Sequence, residues 1–390
     1  MSLSHKPALP RAFYLALAAG LVLSGCSLYP SGSYGPAPAL SVVQATDLGV
    51  FGANPKIVGR DGGYSGVFGA NVVWLFGDTF LTNPNAEGQS LISDSWAWTT
   101  SLDASNGITG FQERDDSAGA PTMILTLTAA EQAYNAAHAG NPCQQQPCGA
   151  RWALWPAAMV ADPTRSRALV FYQLVSAQPG NFNFQAVGYS VATWQTFAGL
   201  PQRPVINPDA QYPDLLFTAN EPSFGTAALV VGDTLYAYGC TSSNFAVPCK
   251  LGRVDLSSVD DRSAWTFYAG SGTWSSELGD AVEVFTGNSI ASVSWNDYLQ
   301  QYVAVYNSPL SGNVKMRTAP NPEGPWSREV AAFTALAPVN GGSPVSDAIA
   351  HPEYNVNGGE TMFVSYSHAT GALTSEFHLV SVQIASTASQ

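Results

Sequence analysis

Five times along the chain the same unit returns: an apolar strand, a polar turn, a second strand rich in aromatics, then a looser pair containing Trp. The copies run over 65–100, 155–197, 224–268, 289–326 and 345–384, with turns at Asp162 to Arg167, Gly232-Asp233, Asn296-Asp297 and Asn355 to Gly359 in the last four. Units of about forty to fifty residues that each form a four-stranded sheet are the signature of a propeller, because no such sheet buries both faces unless neighbours stack on it. The expected fold is all-β, a five-bladed β-propeller with one short helical insertion. A two-sheet sandwich is the other arrangement that periodic short strands allow. The last copy is one strand short, so the segment from Val42 to Phe51 is expected to return as its outermost strand and close the ring.

Composition agrees with many short strands and turns. Gly, Pro, Ser, Thr and aromatics are abundant, and Lys and Arg together number only 15. The net charge of −13 excludes a nucleic-acid partner, since phosphate neutralisation needs cations that this chain lacks. A monomer is expected.

The N-terminus reads as a targeting segment, residues 1–25. His5, Lys6 and Arg11 precede an apolar run from Ala12 to Leu23, too short for a structural membrane span. Leu23-Ser24-Gly25-Cys26 resembles the bacterial lipobox, which implies cleavage before Cys26 and lipidation of its thiol. A plain secretory signal is the alternative. The expectation is an exported protein, lipid-anchored to the bacterial cell envelope through a tether over 26–40, followed by the propeller over 41–386. Setting Cys26 aside, the remaining cysteines fall in two close pairs, Cys143 with Cys148 and Cys240 with Cys249. In an exported chain these are expected disulfides, and their spacing does not suit structural zinc. No metal or other cofactor is expected.

Gly59 to Phe80 is the stretch with chemistry in it. Ser65 to Gly69 and Val72 to Gly77 read as a tight hairpin around Gly69-Ala70-Asn71. A hairpin brings the residue before its first strand beside the residue after its second, so Asp61 and Asp78 are expected to be neighbours at one rim. Two carboxylates there are the minimum apparatus for acid/base work on a glycosidic bond. The insertion at 103–150 should lie on the same rim, and Thr128-Ala129-Ala130-Glu131 is a capping box opening a short helix. The other blades offer Trp155 and Tyr172, Asn220 and Glu221, Asn307, and Asp347 and His368 at equivalent positions. Rings stack on sugar faces while polar groups read hydroxyls. Glu221, placed before Pro222 ahead of a buried strand, joins Asp61 and Asp78 as a catalytic candidate.

Arg60-Asp61-Gly62-Gly63 with Trp74-Leu75-Phe76-Gly77-Asp78-Thr79, then Arg317-Thr318-Ala319 to Gly324-Pro325-Trp326, and His351-Pro352-Glu353 resemble a bacterial propeller family that includes endo-D-arabinanases, glycoside hydrolase family 183. The resemblance covers about 48–384. It implies a five-bladed propeller that cleaves α-linked D-arabinofuranosyl chains of mycobacterial-type arabinogalactan or lipoarabinomannan, with Asp61 and Asp78 as the catalytic carboxylates and Arg60 beside the substrate. The expected roles are Asp61 as the base activating water and Asp78 or Glu221 as the acid. The rival class is a propeller lipoprotein that binds glycan or scaffolds the envelope without catalysis.

Overall fold

The computed structural model describes residues 35–180, 183–241, 246–345 and 347–387. Cys26, the leader and most of the tether lie outside the described residues.

Five antiparallel sheets form the five blades. Blade one starts with Ile57–Phe68 and Asn71–Leu81, with Ser95–Thr99 and the short Leu91–Ile92 beside them. Blade two runs Arg151–Asp162, Arg167–Ala177, Phe184–Trp194 and Phe217–Thr218. Blade three begins with Ser223–Val231, Thr234–Cys240, Pro248–Asp255 and Thr266–Gly270, and it exceeds the expected four strands, adding Thr273–Ser275 and Phe285–Thr286. Blade four is Ser292–Asn296, Gln301–Asn307, Asn313–Ala319 and Val330–Thr334. Blade five is Ile349–Ala350, Thr361–Ala369 and Ser375–Ser386, completed by Leu40–Phe51 from the other end of the chain, whose register runs from Leu40 opposite Ser386 to Phe51 opposite Phe377. The missing strand therefore closes the ring.

Stacking buries both faces of each sheet, so a strand such as Val72 to Phe76 reads as an unbroken apolar run: all five of its side chains are at most 1% exposed. Aromatic pairs fill the seams. Trp96 meets Trp194 edge-on at 5.5 Å between blades one and two, Phe217 meets Trp265 at 5.2 Å between two and three, and Phe285 meets Trp326 at 5.0 Å between three and four. Phe333 faces Tyr366 at 6.0 Å between four and five, and Phe76 faces Phe377 at 5.2 Å between one and five. Truncating a buried Trp of this kind costs about 3–5 kcal/mol.

The insertion carries the expected helix, α1 (Ala129–His138), with Thr128 and Glu131 completing the capping box. The Asn135 side chain clips the helix to Trp152 at the start of blade two, donating to its carbonyl (2.9 Å) and accepting from its N–H (2.7 Å). Both disulfides form as paired above.

Candidate active site

Asp61 and Asp78 come together, though not from strand ends. Both strands of the hairpin are longer than the sequence suggested, and both aspartates lie inside them. Pairing jumps from Arg60 opposite Thr79 to Gly62 opposite Phe76, then to Tyr64 opposite Leu75. Asp61 and Gly63 are thus bulged out of the ladder, and a bulge re-aims its side chain. Gly62 and Gly63 have φ of 85° and 90°, which only glycine adopts without strain. Across the hairpin, the Asp61 Oδ1 occupies the place where a Cβ on residue 77 would sit, so Gly77 makes room for it.

Asp61 is exposed to water. On its other sides protein crowds the carboxyl, and this burial, followed by the charges of Asp78 and Asp347, pushes it up to about 8. Its exposure to water limits how far such crowding acts. Asp347, buried just ahead of blade five's inner strand, accepts N–H bonds from Gly62 (3.2 Å) and Ser367 (3.0 Å), yet burial raises it to about 6. Below them Tyr64 crosses the axis, its hydroxyl donating to the Thr226 carbonyl of blade three (3.0 Å).

Asp78 has a different environment. The Arg151 Nη2 donates to both of its oxygens (3.0 and 2.9 Å), and the Trp155 indole N–H donates to Oδ1 (2.9 Å). Arg151 is the residue before Trp152, so the insertion helix, through Asn135, helps fix the cation that holds Asp78. Trp155 also meets the exposed Phe184 edge-on at 4.8 Å, an aromatic pair at the rim suited to a sugar face. Behind Asp78 is Asp94, fully buried and raised to about 7 chiefly by that burial, and taking the Ile124 N–H at 2.6 Å.

The remaining candidates are placed elsewhere. Arg60 points the opposite way from Asp61, into the core, where it lies over the Phe76 ring and pairs with Glu113 at 3.2 Å. Tyr172 is buried and donates to Asp214 (2.8 Å). Asn307 is buried too, tying blade four to blade five by donating to the Val345 carbonyl (2.8 Å). Asn220 is an exposed turn residue. Glu221 pairs with Arg262 at 3.0 Å and accepts the Thr218 N–H at 2.6 Å; its charge is not among those acting on Asp61. His368 lies in the seam between blades four and five, its Nε2 at 3.0 Å from the Ala337 carbonyl. Of these six, Arg60, Tyr172, Asn307, Glu221 and His368 have backbone or side-chain partners that a position count along the strand does not reveal.

Four participants escaped the sequence reading, one of them the rim aromatic Phe184. Arg151 was legible only as a rare cation at the end of the insertion, Asp94 as the Asp in Ser-Asp-Ser ahead of a strand, and Tyr64 as the aromatic closing the Gly-Gly run. His351 and Glu353, part of the resemblance, form a buried network with Ser65 between blades one and five. Ser65 Oγ lies 2.6 Å from His351 Nδ1 and donates to Glu353, and burial takes His351 down to about 3 and Glu353 up to about 7.

The sequence profile of DUF4185, a domain of unknown function, matches residues 39–359. No curated protein matches the chain. Among solved structures, a candidate hydrolase from Bacteroides ovatus is similar, with TM-score 0.53 and 17% identity over 83% of this chain and 85% of that one. A protein of unknown function from Dyadobacter fermentans gives TM-score 0.46 and 11% identity, covering 89% and 100%. The α-L-arabinofuranosidase from Podospora anserina gives 0.45 and 10%, covering 89% and 98%. At such identities the likeness is one of fold.

Proposed function

This chain belongs to the DUF4185 family, and we propose that it works there as a glycoside hydrolase cleaving arabinofuranosyl linkages inside D-arabinan chains. The observation that carries the reading is the contrast between its two facing aspartates. Asp61 is pushed up to about 8 by the protein crowding it and by the charges of Asp78 and Asp347, which favours its protonated form, while Asp78 is gripped through both oxygens by Arg151. Two neighbouring carboxyl groups in such unlike surroundings are suited to divide the acid and base roles of such a reaction. Asp61 is therefore proposed as the acid and Asp78 as the base, the opposite of the roles expected from sequence.

In the proposed reaction the bond from the anomeric carbon to the glycosidic oxygen breaks, and the departing oxygen keeps the electron pair and takes the Asp61 proton. Water adds to the anomeric carbon and gives its own proton to Asp78. Asp347 keeps the region around Asp61 negative and so favours its protonated form. The choice of D-arabinan rests on the glycine and aspartate motifs around Asp61 and Asp78, which resemble the endo-D-arabinanases of glycoside hydrolase family 183. Trp155 and Phe184 would stack on the sugar. The proposal includes an envelope protein held by a lipid on Cys26, for which Cys26→Ser should abolish partitioning into detergent; unchanged partitioning would contradict the anchor.

A second reading, glycan binding without hydrolysis, is favoured by the Arg151 to Asp78 ion pair, which also suits a purely structural carboxylate. Incubating the purified protein with mycobacterial arabinogalactan and with plant arabinans, and sizing the products by chromatography, separates the two. Oligosaccharides released from the D-arabinan are the expected result. Retention of intact polymer without products would leave binding alone.

A further inference from the structure

The seam between blades four and five holds a group of side chains that the glycan reading does not use. His368 lies opposite Glu376 in the ladder of blade five, and His378 follows on the same face two residues later. Both histidines are buried and Glu376 is half-buried. Among the described residues, these three form the one group whose metal-ligating atoms all lie within 4.8 Å of one another.

Hydrogen-bond partners determine which ring nitrogens are bare. The His368 Nε2 is 3.0 Å from the Ala337 carbonyl, which can only accept, so this nitrogen carries a proton. The His378 Nδ1 is 3.1 and 3.0 Å from the two oxygens of Asp47, so it too is a donor. A neutral imidazole has a single N–H. The bare nitrogens are then Nδ1 of His368 and Nε2 of His378, and both face one oxygen, Glu376 Oε1, at 3.2 and 3.3 Å. Three lone-pair atoms thus converge with no donor among them. A single divalent cation satisfies all three atoms at once.

We propose that His368, His378 and Glu376 hold one zinc ion in the seam between blades four and five. Zinc takes imidazole nitrogen and carboxylate oxygen at about 2.0–2.1 Å in a tetrahedron, which sets the ligand atoms about 3.3 Å apart. The two nitrogen-to-oxygen separations here are 3.2 and 3.3 Å. The outward N–H of each histidine already meets a carbonyl or a carboxylate, the support that orients metal-binding imidazoles. Tyr366 stacks on His378 at 5.3 Å and donates its hydroxyl to Asp47 (3.1 Å), holding ring and carboxylate together. Asp47 belongs to the N-terminal strand and the three ligands to the C-terminal strands, so the ion fastens the two chain ends that close the ring. It also steadies the strand end whose Ser367 N–H places Asp347.

The test is zinc binding by the purified full chain, stripped with a chelator and dialysed, then titrated calorimetrically with zinc chloride and melted with and without the metal. One zinc per chain, affinity in the micromolar range or tighter, and a melting temperature that rises with zinc are expected. His368→Ala and His378→Ala should each weaken binding by at least 100-fold, and Asp47→Asn, which keeps all three ligands, by about 10–100-fold. Cobalt bound to the unaltered protein should give the intense visible bands of a tetrahedral site, a readout that needs no variant to fold. Absence of zinc binding, or zinc binding with equal affinity in folded His368→Ala and His378→Ala, overturns the proposal, as does a preference for calcium over zinc. Hydrolysis of glycan is not the readout, so the proposal stands or falls apart from the catalytic one.

Discussion

Gly77 offers the sharpest perturbation of the candidate site. Its φ lies outside the left-handed region, so alanine fits the strand backbone there and should even gain about 0.5–1 kcal/mol over glycine. The obstacle is Asp61, whose Oδ1 stands where the new Cβ must go. Non-bonded heavy atoms settle at about 3.5 Å, so the Asp61 carboxyl has to withdraw by roughly 1 Å. A misplacement of that size costs on the order of 100-fold in rate. Gly77→Ala should therefore keep its fold and lose about two orders of magnitude in kcat on D-arabinan, measured by reducing-end release. Gly279→Ala is the control, because its Cβ would meet nothing within 4 Å, and it should be unaffected. If folded Gly77→Ala retains activity within about threefold of the parent, Asp61 is not held where the reaction needs it.

Arg151→Gln should lower kcat by on the order of 100-fold with little change in KM, since it releases Asp78 without touching the rim aromatics; steady-state kinetics on the polymer checks it. Stability should fall as pH rises from about 5 to 8.5. Asp347, Asp94, Glu353 and Asp61 have folded values of about 6, 7, 7 and 8, above the ordinary 3.8 for Asp and 4.5 for Glu. Their stabilisation is thus complete at low pH and lost through the folded values. The depressed carboxylates Asp162 and Glu131 are lost only below that window, and His351, held down to about 3 by burial, opposes the four carboxyls only below its ordinary 6.5. A melting temperature that climbs from pH 5 to pH 8.5 would contradict the sign.

The ring was legible because stacking forces every blade to repeat the same pattern, and the shortfall of a strand after Ile384 pointed to Val42–Phe51, within the observed strand Leu40–Phe51. Extra strands in blade three were not, since Thr273–Ser275 is a short, half-buried pairing with no periodicity of its own. Asp61 and Asp78 could be read from a hairpin and its glycines. The roles proposed for them could not, because Asp61 is raised by burial and then by the charges of Asp78 and Asp347, and Asp78 is gripped by Arg151; Asp347 and Arg151 lie 286 and 73 positions away along the chain. Tyr172 and Asn307 show the converse: polar and aromatic groups at strand ends were read as facing the axis, but buried carboxylate and carbonyl partners claim them. For His368, a sugar contact by strand position, the cross-strand place of Glu376 that turns it toward the seam emerges only from the ladder register.

The catalytic assignment is tested most directly by comparing Asp61→Asn on two substrates, the natural D-arabinan and an aryl arabinofuranoside with a good leaving group. Asparagine keeps the shape and cannot donate a carboxylic proton, so hydrolysis of the polymer should fall by on the order of 10² to 10⁴. The aryl substrate needs no protonation of its departing oxygen and should be cleaved at close to the parent rate, whereas Asp78→Asn should be defective on both. Equal loss on both substrates in Asp61→Asn, or near-normal cleavage of the polymer by the folded variant, would contradict the role given to Asp61.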